Sequence, residues 1–181
     1  MDVGAAALGY RAWCRASLGR DVEARLGRAE LLRRLDRTNH VFTQARGLNW
    51  SANISAALQD WDDAVICAAR GVALAREFDL KLVESIGCAV QNIALAATNG
   101  DTGPLTAALA GISAYRQTGA RVQVPFLLGL IAEVAIRLRE QPIAEQALAE
   151  AWSLIEQTGE RQSVLRLASL RDALNDHCRR A

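Results

Sequence analysis

The side chains able to bind a metal or carry a proton are two histidines, four cysteines and 20 aspartates and glutamates. His40 stands at a helix start, and His177 adjoins Cys178. Neighbours on a helix point about 100° apart, so His177 and Cys178 do not share one ion. Cys14, Cys67, Cys88 and Cys178 are scattered without a C-x-x-C pair, which gives neither a zinc knuckle nor a redox dithiol. They read as free thiols of a reducing cytoplasm, three of them in apolar helical stretches. A nucleophilic triad needs a nucleophile, a base and an orienting acid in one place. Two histidines near chain or repeat ends do not supply that, so no catalytic residue, metal or cofactor is assigned. The neighbours Asp62 and Asp63 fall at a helix N-terminus, where they complement the dipole rather than act as an acid/base pair. The stretch 20–37 holds Arg25, Arg28, Arg33 and Arg34, but also Asp21, Glu23, Glu30 and Asp36. That is a mixed, solvated face, whereas nucleic-acid binding needs clustered unpaired charge.

The remaining polar set is placed by glycine. Counted from Gly9, Gly47, Gly87 and Gly129, the positions −6, −3, +1 and +4 share one helix face. At −6 stand Val3, Val41, Lys81 and Gln123, and at −3 stand Ala6, Gln44, Glu84 and Phe126. At +1 stand Tyr10, Leu48, Cys88 and Leu130, and at +4 stand Trp13, Ser51, Gln91 and Glu133. If these helices line a concave surface, Tyr10, Trp13, Gln44, Ser51, Lys81, Glu84, Gln91, Gln123, Phe126 and Glu133 form a groove for a peptide or a partner's helix. The alternative is a small-ligand or enzymatic pocket, with Tyr10, Trp13 and Phe126 around an apolar cavity.

The elements follow from self-similarity. Gln117-Thr118-Gly119 recurs as Gln157-Thr158-Gly159, 40 residues later. At that spacing Leu31, Gly71, Gly111 and Ala151 form a mostly small column, and Leu32, Val72, Ile112 and Trp152 an apolar one. Four units of two helices each result, at approximately 1–39, 40–79, 80–120 and 121–160, with a capping helix in 161–181. First helices are expected near 3–18, 40–58, 81–98 and 122–139, second helices near 21–37, 61–78, 102–118 and 142–158, and the last near 162–178. Asp21, Asp60 and Asp101 stand at expected N-caps. Pro104, Pro125 and Pro142 fall in first turns, and Gly119 and Gly159 just past helix ends. The mid-helix glycines imply close contacts, expected against the small column. The expected fold is all-α: a right-handed α-α superhelix of four helix pairs plus a cap, in one domain.

Composition agrees. Of 181 residues 51% are apolar and 23% charged, with a net charge of +1, which excludes a disordered tail and argues against a dedicated nucleic-acid binder. No apolar run approaches the ~18 residues of a membrane span. Arg11 and Arg15 interrupt the N-terminal apolar stretch, and no basic residue precedes it, so it is a poor secretory signal; the expected location is the cytoplasm. The last helix presents Val164, Leu167, Leu170 and Leu174 with no helix to follow, which allows a homodimer.

The glycine column, the apolar residue before it (Leu8, Ile86 and Leu128, with Arg46 in the second unit) and the small column at 31, 71, 111 and 151 resemble tetratricopeptide repeats. The unit is stretched from about 34 to about 40 residues. A second resemblance covers nearly the whole chain. Gly111-Ile112-Ser113-Ala114-Tyr115-Arg116-Gln117-Thr118-Gly119-Ala120, Pro125-Phe126-Leu127-Leu128, Ala147-Leu148-Ala149-Glu150-Ala151 and Glu156-Gln157-Thr158-Gly159-Glu160-Arg161 are similar to the C-terminal helical-repeat region of large bacterial signalling proteins. Those proteins carry a nucleotide cyclase or winged-helix domain, then a P-loop ATPase module, then repeats. The resemblance implies a regulatory repeat domain that binds a protein or peptide, or packs on an adjacent ATPase or cyclase module. It implies neither activity here, since the chain has no G-x-x-x-x-G-K-[ST] loop.

Overall fold

The computed structural model describes the backbone of residues 2–180 and the side chains of residues 2–175. The described residues form α-helices and no strand: α1 (Val3–Ser17), α2 (Asp21–Leu35), α3 (Val41–Ala57), α4 (Trp61–Glu77), α5 (Lys81–Asn99), α6 (Gly103–Gln117), α7 (Val124–Arg137), α8 (Gln141–Thr158) and α9 (Val164–Arg180). All bounds lie within two residues of those expected, because helical apolar spacing and first-turn prolines locate elements well. A left-handed residue follows nearly every helix: Gly19, Gln59, Asp79, Gly100, Gly119, Arg139 and Gly159. From Gln59 onward they recur at intervals of about 20 residues, which extends the sequence periodicity to the turns, and the turn after α2 lacks one.

The caps differ from expectation. Arg20 and Thr102 hold the N-cap positions of α2 and α6, with Asp21 inside α2 and Asp101 one residue before the cap. Asp101 Oδ1 still accepts from the Gly103 N–H at 2.9 Å. Asp60 occupies the N-cap of α4, but its carboxylate pairs with Arg25 of α2 rather than with a cap N–H. The working side-chain caps are elsewhere. Asp2 accepts from Gly4 N and Ala5 N at 2.8 and 3.3 Å, and His40 Nδ1 from Thr43 N at 3.3 Å.

Each helix packs on its chain neighbour, and the odd-numbered helices also pack in succession, α1 on α3, α3 on α5, α5 on α7 and α7 on α9. The contact between α6 and α7 is slight. Side chains at the start of α7 nevertheless reach across to α1 and α3. The Trp13 and Phe126 rings meet edge to face at 5.1 Å, and Arg46 reaches Gln123. Every residue of α7 from Val124 to Ala135 is buried, as is α3 from Ala45 to Ala56. A helix apolar on all sides belongs at the centre of a fold. Burial of Phe126, Leu127, Leu128, Leu130 and Ile131 contributes about 1.5–3 kcal/mol each. The odd-numbered helices therefore enclose a core and leave no open channel between them.

The glycine contacts also correct the expectation. A Cβ on Gly9 would stand 2.6 Å from the Trp50 ring, and one on Gly47 2.5 Å from Leu35, so the first-helix glycines accommodate large neighbours. The small column serves close helix approach instead. A Cβ on Gly111 would stand 2.9 Å from Ala89 N and 3.0 Å from Ser85 O, the backbone of α5.

The apolar face of α9 is used internally. Leu167 and Leu174 are buried, and Val164 and Leu170 pack against the same core, so the stripe expected to be free for a second copy is covered within the chain.

Candidate functional site

The expected groove residues separate into two groups. On α3 and α5 the glycine-based stripe turns outward, between successive second helices. Gln44 lines a cleft with Leu32, Leu35, Asp36, Arg70 and Leu74, and its Nε2 donates to Thr38 O at 2.7 Å. Lys81 and Glu84 line a groove over α5, and Gln91 is half-buried further along the helix. On α1 and α7 the stripe turns inward. Trp13, Gln123, Phe126 and Glu133 are buried, and on α3 Ser51 is buried beneath Arg28, whose Nε donates to its hydroxyl at 2.8 Å. Of these five, Glu133 borders a surface cleft together with Gln59 and Arg166, and the other four are enclosed between helices. Tyr10 is half-exposed, with its ring 5.1 Å from Trp50 and 6.3 Å from Trp13. The rings of Tyr10, Trp13, Trp50 and Phe126 fill against one another the space in which a ligand cavity was the alternative.

One of several open clefts is the groove over α5, about 610 Å³ in volume, flanked by the end of α4 and by α6. Its α6 wall is Ala107, Ala110, Gly111 and Ala114, a stretch with no side chain beyond Cβ, and Gln117 and Thr118 close its far end. Its α5 floor carries Lys81, Glu84, Cys88 and Asn92. Arg76 of α4 closes the edge, its Nε 2.9 Å from Glu84 Oε1. Lys81 Nζ is 2.8 Å from Asp79 Oδ1 and 3.7 Å from Glu84 Oε2. The Glu84 hydrogen bond raises the Arg76 pKa, and the Asp79 hydrogen bond raises that of Lys81. Burial pushes the Cys88 thiol up, against the pull of Arg76, so Cys88 is held as a thiol rather than a nucleophilic thiolate.

Two polar clusters link distant helices, the first partly buried beside a surface cleft and the second in the interior. Glu133 accepts from Gln59 through one oxygen and from Arg166 through the other, while Arg166 Nη1 donates to Ala57 O at 3.2 Å. This cluster ties α9 to α7 and to the end of α3. The second centres on Arg46, 8% exposed, whose Nη1 and Nη2 lie 3.3 and 3.4 Å from Gln123 Oε1 and whose guanidinium lies 4.8 Å from the Trp50 ring. Arg46 has a sequence signal: it fills the column that holds Leu8, Ile86 and Leu128 in the other units. Tyr115, Gln59 and Arg166 carry no such signal, since their roles depend on where α7 and α9 settle.

Arg25, Arg28 and Arg34 of α2 pair outside their own helix, while Arg33 donates to Ala29 O within it. Arg28 Nη1 meets Asp63 Oδ2 at 2.8 Å, Arg25 meets Asp60, and Arg34 makes two bonds to Asp2 at 2.7 and 2.9 Å. Those bonds, with help from the cap N–H groups, hold the Asp2 carboxyl down to about 2. Among the described residues no three His, Cys, Asp or Glu side chains gather as a metal site, and no helix is long and apolar enough to cross a membrane. The side chains of His177 and Cys178 lie outside the described residues. Comparison with protein-family models, curated proteins and solved structures finds no match to this chain.

Proposed function

We propose that this chain is a non-catalytic interaction module, a right-handed superhelix of helix pairs closed by α7–α9, which docks a helix of a protein partner in the groove over α5. The observation that carries the reading is the α6 wall of Ala107, Ala110, Gly111 and Ala114, facing a floor of charged and polar side chains. A wall without side chains beyond Cβ lets a helix backbone approach closely, while Arg76, Lys81 and Glu84 at the edge fix its orientation. The repeated left-handed turns and the succession of odd-numbered helices support the repeat architecture. The resemblance to the repeat region of bacterial signalling proteins supports a regulatory role, with the partner a protein, a peptide or an adjacent ATPase or cyclase module.

A photo-crosslinking residue at Ala110 tests this, with Ala149 on the exposed face of α8 as control. The reading expects capture of one helical segment from Ala110 and none from Ala149. Equal capture at both positions would remove it. The groove volume also lies within the range of about 300–1,000 Å³ typical of small-molecule sites, which favours a metabolite as the second reading. A metabolite would raise the melting temperature of the chain alone, whereas a protein helix requires the macromolecule.

A further inference from the structure

The charge pairs that join α2 to α4 stop halfway along the helices. Arg25 pairs with Asp60, and Arg28 Nη1 meets Asp63 Oδ2 at 2.8 Å, so the first halves are held together. Beyond them α2 and α4 wall a cleft of about 480 Å³, with α3 as its floor. There the signs reverse: α2 offers an acid, Asp36, and α4 a cation, Arg70. Both are exposed, and neither side chain pairs with the other or with any other described residue. Neither is explained by its own helix. Asp36 stands at the C-terminal cap of α2, where the dipole disfavours an acid. Arg70 has Ile66, Cys67, Ala73 and Leu74 three and four residues away, none of them acidic. Between the two charges the cleft is apolar. Leu35 and Leu48 are buried at its base, and Leu32 and Leu74 are half-buried along its walls. Leu35 lies in the space that a Cβ on Gly47 would take, 2.5 Å away, which lowers the base between the walls. The cleft also follows a seam in the packing: Leu74 alone among the described residues belongs to the small apolar clusters on both sides of it.

We propose that this cleft binds a zwitterion with an aliphatic side chain: its ammonium group meets Asp36, its carboxylate meets Arg70, and its side chain lies on the leucines. Each part of such a ligand meets a group of matching chemistry that the chain itself leaves unpaired, and the volume lies in the range of about 300–1,000 Å³ usual for small-molecule sites. The planar fork of Arg70 suits a carboxylate in particular. A free aliphatic amino acid and a short apolar peptide with both ends free share this chemistry, and two probes distinguish them. The cleft is separate from the groove over α5, so the proposal stands independently of docking there.

The test is equilibrium dialysis of the full chain with radiolabelled leucine and with radiolabelled leucyl-leucine. Isocaproate and isoamylamine, which each lack one of the two charges, serve as competitors. Saturable binding of one of the probes is the expected result. Binding of leucine identifies a free amino acid, and binding of leucyl-leucine alone a peptide with free ends. Each single-charge analogue should compete at least roughly tenfold less well than the zwitterion, and Asp36→Asn and Arg70→Gln should each weaken binding at least roughly tenfold. Both side chains are exposed and unpaired, so without ligand both variants should melt within about 2 °C of the parent. Leucine-methyl NMR of the parent keeps the test sound if a variant unfolds: the signals of Leu32, Leu35, Leu48 and Leu74 should shift with the same affinity. No saturable binding of either probe at millimolar concentration, equal competition by the single-charge analogues, methyl shifts elsewhere with these four unchanged, or a variant that binds as well as the parent overturns the proposal.

Discussion

Replacing Glu133 by leucine tests how the last helix is held. Glu133 and Arg166 have side chains 9% and 18% exposed, and their pair is extended by Gln59 and by Ala57 O. The substitution removes two charge-assisted hydrogen bonds at once and leaves the Arg166 guanidinium with one carbonyl. Bonds to charged groups are each worth about 1.5–3 kcal/mol, and removing one partner of a buried pair costs about 3–5 kcal/mol. For a chain of 181 residues that corresponds to a fall of roughly 6–20 °C in melting temperature. Arg166→Leu should cost a similar amount, because Glu133 is then buried with Gln59 alone. The double variant should recover much of the loss, since two leucines of suitable size can fill the space without an orphaned charge. Urea denaturation of the parent, the two single variants and the double variant gives the coupling energy, expected at roughly 2 kcal/mol or more. Single effects that add to within about 0.5 kcal/mol would refute the reasoning, because they would mean that the two side chains do not hold each other.

Arg139 adopts a left-handed φ of 62° where the equivalent turns after α1, α6 and α8 use glycine. Arg139→Gly should stabilise the chain by about 0.5–1 kcal/mol in thermal unfolding, and a lower melting temperature contradicts that strain argument. Gly111→Ala should destabilise by about 1–3 kcal/mol, since its Cβ meets the α5 backbone at 2.9 and 3.0 Å; a neutral result would show that α5 and α6 separate easily. The Asp2 carboxyl sits at about 2 in the folded chain against an ordinary 3.8, chiefly through its bonds to Arg34. Its contribution to stability is present above the ordinary value and is lost as pH falls through the folded one. Melting curves of the parent and Asp2→Asn from pH 5 to 2 should therefore converge at the acid end, and a constant gap counts against the pair.

The helices were legible because period and punctuation are local properties. The side-chain contacts of α7 with α1 and α3 were not, because the common register considered each first helix only against its own neighbours. The stretch Val124–Ala135 contains Glu133 as its one charged residue, a composition that already describes a helix surrounded on all sides. Reading it by the glycine register placed Gln123, Phe126 and Glu133 on a concave binding groove, whereas all three are buried. The caps failed for a different reason. Asp60 had an alternative partner in Arg25, distant in sequence, and a cross-helix ion pair outcompeted the local N–H groups. Lys81 and Glu84 line the outer groove between α4 and α6 rather than an inner channel.

Alanine-methyl NMR of the chain, titrated with the segment captured from Ala110, addresses the location of binding most directly. Shifts confined to Ala107, Ala110 and Ala114 are the expected result. Shifts centred on Ala6, Ala12 and Ala132, with those three unchanged, would place the partner in the interior between α1 and α7 and contradict the account.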